Sequence, residues 1–106
     1  MARLGVSEAL HGECQRLDVW LFRTRLFKTR SLATKTILKG KIRVTRNGRT
    51  ERITKPHIKF RPGDRALFMR GAELIHVEMI SPAERRGPAS EARDLYRHIP
   101  LDLAPQ

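Results

Sequence analysis

Apolar positions change their period twice along this chain, and the changes divide it into elements. From Arg16 to Phe27, Leu17, Trp20, Leu21 and Thr24 recur at i, i+3, i+4 and i+7, the spacing of one helix face. Val19, Phe22 and Leu26 widen the apolar surface, so the pattern predicts a helix packed on two sides. Asp18 falls in its first turn, where the positive end of the helix dipole favours a carboxylate. Lys28 occupies the turn that follows. A second helix is predicted over 29–39, because Thr29 supplies an oxygen for exposed backbone N–H groups and Gly40 can take the left-handed conformation that closes a helix. On it Leu32, Ala33, Thr36 and Ile37 share one broad face, while Ser31, Lys35 and Lys39 follow one another along an adjacent face. One side can enter a core and leave the basic side outside.

Beyond Gly40 the period is two. Ile42 and Val44 point one way, and Lys41, Arg43 and Thr45 the other. Asn47-Gly48 predicts a tight hairpin turn, since both residues tolerate positive φ. The returning arm, Arg49 to Ile53, is polar, and Lys55-Pro56 stops regular pairing. Ile58 and Phe60 alternate with Lys59 and Arg61 before a second turn at Pro62-Gly63-Asp64. Strands are predicted over 65–69 and 73–80, separated by Arg70-Gly71-Ala72, and Ser81-Pro82 ends the sheet. Arg85-Arg86-Gly87-Pro88 reads as a linker, with Pro88 near the first turn of a last helix. In that helix Ala92, Leu95, Tyr96 and Ile99 form a docking face, and Pro100 closes it. Met1 to Gln15 shows no clear period. The expected organisation is a flexible leader over 1–15, one domain over 16–80, and a linker with a C-terminal helix over 81–106. Helix, helix, three or four strands, helix is an α+β order without a βαβ repeat.

Composition narrows the function. The chain's 106 residues suit one domain and a short tail, and 40% hydrophobic content makes only a small core, which puts function on the surface. Lys and Arg number 22 against 11 Asp and Glu, a formal charge of +11, which attracts nucleic acid or an anionic membrane. The distribution says more than the total. The stretch from Arg16 to Arg70 holds seventeen of the basic residues but only Asp18, Glu51 and Asp64 of the acidic ones. A merely solubilising surface mixes both signs, so this segregation argues for a polyanion site, and RNA most of all. Cys14 is the single cysteine, which forbids an intrachain disulfide and fits a reducing compartment. Met1 to Glu13 lacks the apolar core of a signal peptide and no run approaches a membrane span, so no membrane role is expected and the cytoplasm is the expected location.

Two constellations carry the candidate chemistry. Arg16, Lys28, Thr29, Arg30, Ser31, Lys35, Lys39, Lys41 and Arg43 combine mobile ammonium charges, guanidinium forks and hydroxyls around one helix, the donor types that hold phosphates. Thr29 by itself reads as a cap. The hairpin arm adds Arg43, Arg46, Asn47, Arg49 and Arg52 with Lys55, a basic ribbon that can follow an RNA backbone; the competing reading is an edge strand defended by charge. Asn47 and Gly48 read as turn formers. Trp20, Phe22, Phe27, Phe60 and Phe68 all fall at core positions, so recognition is expected to rest on backbone and shape rather than on splayed bases.

Enzymatic readings find little support. Arg16-Leu17-Asp18 spells the tripeptide that carries the catalytic Asp of many pseudouridine synthases, but here it opens a small domain that no catalytic domain follows. His11 and Cys14 are two ligands and not a zinc site, and His57, His76 and His98 lack ligand spacing. No Ser/His/Asp order, Gly-rich phosphate loop or carboxylate pair stands out. The chain is expected to be non-catalytic, without metal or cofactor.

Taken together, Arg16-Leu17-Asp18-x-Trp20-Leu21, Lys28-Thr29-Arg30-Ser31-x-Ala33, Gly40-Lys41-Ile42-Arg43-Val44, Asn47-Gly48, Lys55-Pro56 and Gly63-Asp64 resemble the S-four type RNA-binding domain, the alpha-L motif of ribosomal proteins. The likeness spans Arg16 to Met79. Trp20, Lys28-Thr29-Arg30, Arg85-Arg86-Gly87-Pro88-Ala89, Glu91-Ala92 and Leu95-Tyr96 resemble, more narrowly, the ribosome-associated heat shock protein fifteen family. The resemblance implies a helix pair on a small twisted, mostly antiparallel sheet, with RNA crossing the second helix and the following strand. It implies binding to structured RNA, namely large-subunit ribosomal RNA or the ribosome with possible tRNA contact, and a role in recycling stalled subunits under heat or translational stress; the chain itself is expected to be a monomer. The stretch from Val44 to Lys55 is longer than the family's usual connection, and the long basic C-terminal tail of better-known members does not occur up to Gln106. Two other readings are a DNA-binding regulator using the helices as a helix-turn-helix, and an accessory subunit of an RNA-modifying enzyme.

Overall fold

Two helices lie against one face of a five-stranded antiparallel sheet, and the last part of the chain returns across both. The structure, a computed structural model, describes residues 14–100. In chain order these form β1 (Gln15–Arg16), α1 (Leu17–Arg23), α2 (Arg30–Leu38), β2 (Ile42–Arg46), β3 (Arg49–Ile53), β4 (Lys59–Phe60), β5 (Arg65–Arg70), β6 (Glu73–Met79), α3 (Ala89–Ala92) and β7 (Tyr96–His98). Strands run β3-β2-β5-β6-β7 across the sheet, while β1 and β4 make a separate two-stranded pair. The leader expected over 1–15, with His11, lies outside the described residues apart from Cys14 and Gln15. Gln15 is already paired with Phe60 in the small sheet.

The core is the meeting of the helices with alternate sheet residues. Leu17, Trp20 and Leu21 of α1 and Ala33 and Ile37 of α2 bury themselves against Ile42, Val44, Ala66, Phe68, Ile75, Val77 and Met79. Two aromatic pairs fill the centre, Trp20 with Phe60 and Phe27 with Phe68, each with ring centroids 5.0 Å apart. Leu26 and Phe27 are buried as the apolar spacing predicts, but they are not helical. The helix stops at Arg23 because Arg25 adopts a left-handed φ of 64°, while the Thr24 hydroxyl donates back to Trp20 O at 2.7 Å. A left-handed residue ends a helix, and Phe27 N–H then reaches Leu21 O at 3.0 Å.

The boundaries of α2 follow the sequence reading. Thr29 Oγ1 accepts the Leu32 N–H at 3.0 Å. At the other end Gly40 N–H donates to Ile37 O at 2.8 Å and Lys41 N–H to Thr36 O at 3.2 Å, a paired C-terminal closure that requires the positive φ of 71° at Gly40. The hairpin turn is the two-residue one expected, with φ of 54° at Asn47 and 79° at Gly48 between the paired Arg46 and Arg49.

The C-terminal helix is shorter than its spacing predicts. It ends at Ala92, a tight 3-10 turn covers Arg93–Leu95, and Tyr96–His98 becomes the fifth strand against β6. The apolar positions still face inward, since Ala92 and Ile99 are buried and Tyr96 sits edge-on to Trp20 at 6.3 Å. What decides strand over helix is the free edge of β6, whose N–H and C=O groups need partners. Nor is 81–88 a loose connection. Trp20 Nε1–H donates to Ser81 O at 2.9 Å, the Gln15 amide brackets Ala83 with bonds of 2.8 and 3.0 Å, and Arg25 donates to Gly87 O at 2.6 Å. Arg86 lies over the Phe22 ring at 4.8 Å and donates to Phe22 O and Lys28 O, at 3.2 and 3.4 Å. The strap thus clasps the turn that leads into α2.

Candidate nucleic-acid interface

The start of α2 is built around a buried carboxylate. Asp18 is 1% exposed, and its two oxygens accept both forks of Arg16 at 3.0 and 3.1 Å and the Thr34 hydroxyl at 3.1 Å. Arg30 Nε stands 3.6 Å from the same carboxylate. Burial pushes the Asp18 carboxyl up, but the bonds from Arg16 and Thr34 and the charges of Arg16 and Arg30 outweigh it and hold it below the ordinary value. The two arginine side chains remain 48% and 52% exposed. One carboxylate therefore fixes an arginine from β1 and one from α2 side by side, with donors left over for a ligand.

From there an exposed cationic path runs along α2. Lys28, Thr29, Arg30 and Ser31 are exposed at its start, Lys35 and Lys39 follow at helical spacing, and Lys41 and Arg43 continue onto β2. The Thr29 oxygen is engaged as the cap, which leaves its O–H as a donor. Arg43 faces away from the core, directly opposite Arg52 of β3. The stem of Arg52 lies over Gly40, where an added Cβ would come within 2.9 Å of its Cδ. Arg52 thus folds back toward the C-terminal end of α2, a position that favours a cation. The structure brings Lys39, Lys41, Arg43 and Arg52 to one end of α2 and Arg16, Lys28, Arg30 and Ser31 to the other.

The hairpin ribbon does not present all its arginines together. Residues of a strand alternate faces, so Arg46 and Arg49 point to the opposite side from Arg43 and Arg52. Arg46 is committed within the fold: its guanidinium donates to Asp64 at 2.6 and 3.1 Å and to Lys59 O at 2.6 Å, and the hydrogen bonds to Asp64 push its pKa further up. Arg49 is 83% exposed beside Glu51 at 3.6 Å. Lys55 is exposed beyond the end of β3, in the turn where its carbonyl accepts from Ile58 N–H. Among its candidate site residues the sequence reading did not include Asp18, Thr34 or Arg86, which place the basic groups. Thr34 carries a readable signal, since it lies four residues after Arg30 on the same helix. Arg86 carries none, because its partners are some sixty residues away.

Among the described residues no helix is long and apolar enough to cross a membrane, and no cluster of three His, Cys, Asp or Glu side chains could hold a metal ion.

A family model for the S4 domain matches residues 15–65, from β1 to the first residue of β5. Among solved structures, the trimeric heat shock protein 15 of Vibrio cholerae is similar in fold with a TM-score of 0.72 and 33% sequence identity, covering 82% of this chain and 83% of that one. No curated protein sequence matches the chain.

Proposed function

Because the chain belongs to the S4-domain family of heat shock protein 15, we propose that it is a non-catalytic RNA-binding protein that associates with the ribosome through the basic face centred on α2. The observation that carries this reading is the path from the Asp18-anchored Arg16 and Arg30 along Lys35 and Lys39 to Lys41, Arg43 and Arg52. Its length and single sign suit a folded RNA backbone. Structured large-subunit ribosomal RNA is the proposed target, with possible tRNA contact, in recycling subunits stalled by heat or translational stress.

The reading is tested by titrating a structured ribosomal RNA fragment at several salt concentrations. Substituting Lys35→Gln with Lys39→Gln should weaken binding by about an order of magnitude and flatten the dependence of log affinity on log salt by roughly 1.4–1.8, with thermal unfolding unchanged. Unaltered affinity and slope would remove α2 from the interface. Crosslinking in cells then separates targets: reads gathered on one large-subunit segment support the ribosomal role, whereas reads on tRNA or small-subunit RNA alone overturn it.

A further inference from the structure

The basic face borders a second kind of surface. Leu32 of α2 and Met69 and Leu74 of the β5–β6 hairpin are 47%, 52% and 42% exposed, although all three are large and apolar. They are not scattered. Two adjoining clefts, each of about 400 Å³, lie between α2 and that hairpin and share Thr36 and Met69 as walls. Leu32 lies in one, over the buried Leu26 and Phe27, and Leu74 in the other beside Leu67. The charged residues that line them are cations, Lys28 and Arg70 at one end and Lys41 and Arg43 at the other, with Arg70 paired to Glu73 at 3.5 Å.

An apolar floor with a rim of one sign fits a ligand that is flat and apolar in the middle and anionic at both sides. We propose that this groove receives an unpaired base of the bound RNA, an inference that rests on the RNA-binding reading. The base lies across Leu32 and Met69, and the phosphates on either side of it fall to Lys28 at one end and to Lys41 and Arg43 at the other. One observation favours a nucleotide over an apolar segment of protein, and two more say how the groove would hold its base. The rim cations Lys28, Lys41 and Arg43 already belong to the phosphate-binding path, so a backbone following α2 brings its bases past the groove. The Met69 thioether makes favourable contacts with aromatic rings. The Thr36 hydroxyl is satisfied internally by Leu32 O at 2.7 Å, so the floor offers shape and contact more than hydrogen bonding. Recognition is then sequence-tolerant but requires an unstacked base. The buried aromatic residues do not preclude splayed bases, because aliphatic and thioether side chains supply the platform.

The test compares two RNA hairpins, one fully paired and one carrying a single unpaired uridine in its stem, by fluorescence anisotropy. The wild-type protein should prefer the bulged hairpin by about tenfold. Substituting Leu32→Ser with Met69→Ser should abolish that preference and leave affinity for the paired hairpin and its salt slope unchanged. Both side chains are exposed, and thermal unfolding checks that the fold persists. Met69→Leu alone should retain the preference. Equal binding of both hairpins by the wild type, or an intact preference in the double variant, overturns the groove and leaves the RNA-binding reading standing. Binding of neither hairpin overturns both. Sedimentation of the free protein adds a further outcome: self-association lost in the double variant would show that the occupant is a second copy of the chain, which also overturns the proposal.

Discussion

At the scale of single residues, charge in this protein divides into side chains that face solvent and side chains that hold others in place. Asp18 is of the second kind. Replacing it with Asn keeps its size but removes the charge that Arg16, Arg30 and Thr34 address. Loss of hydrogen bonds to a charged group should cost about 2 kcal/mol in unfolding free energy, and RNA affinity should fall although Asp18 itself faces no ligand. Denaturant titration and binding measured on the same variant check both parts. The same contact explains why reversing Arg30 to Glu is a poor probe of RNA binding. It would set a second carboxylate beside a buried one, and unfolding would confound the readout. Lys35, exposed and without an ion-pair partner among the described residues, is the cleaner substitution. The sequence shows which residues are basic, but not which are already engaged. Arg46 and Asp64 meet from positions 18 apart, through a pairing of β2 with β5 that no local pattern announces.

Elements were legible where their ends carry their own chemistry. The limits of α2 can be read directly because Thr29 and Gly40 act on backbone groups within a few residues of themselves, and the Asn47-Gly48 turn for the same reason. Gly40 serves twice, through its positive φ and through the room it leaves for Arg52. Gly40→Ala should therefore lower stability by about 1–2 kcal/mol and displace Arg52 from the end of α2, weakening RNA binding as well. Gly48→Ala is the control, since its φ is also positive but nothing stands within 4 Å of its Cβ position. It should cost stability alone, and comparing the two by thermal unfolding and RNA titration isolates the Arg52 contribution. The element that misleads is the last one. Ala92, Leu95, Tyr96 and Ile99 are spaced for a helix, and a strand also turns Tyr96 inward. Only the open edge of β6, assembled from a distant part of the chain, breaks the tie in favour of β7.

For the whole molecule, three perturbed groups among the described residues shape how stability falls on the acid side. His76 is 5% exposed, its Nδ1 has no hydrogen-bond partner among the described residues, and burial together with the charge of Arg65 holds its pKa below the ordinary 6.5. The unfolded chain therefore takes up this proton first as pH falls, and stability declines below about 6.5 by up to about 1.4 kcal/mol per pH unit until the folded protein titrates too. Asp18 and Glu78 lie lower. Burial raises each, but the arginines bonded to them prevail, so both titrate below their ordinary 3.8 and 4.5 in the folded state. Their stabilisation is complete above those values and is lost as pH falls through the folded pKa. Thermal unfolding across pH should show two descending steps, and His76→Leu should remove the upper one while sparing the lower.

The strap over α1 sets a schedule for synthesis. Gln15 and Ala83, 68 positions apart, hold each other, and the Trp20 indole waits for Ser81. A chain emerging from its own ribosome exposes the α2 cations long before the residues that clasp the turn ahead of them. Until residues near 98 clear the exit, β6 has no outer neighbour, and until Arg86 does, the carbonyls of Phe22 and Lys28 are not yet clasped. Contacts of such separation form late. The strap therefore closes only after α2 and its cations have left the ribosome.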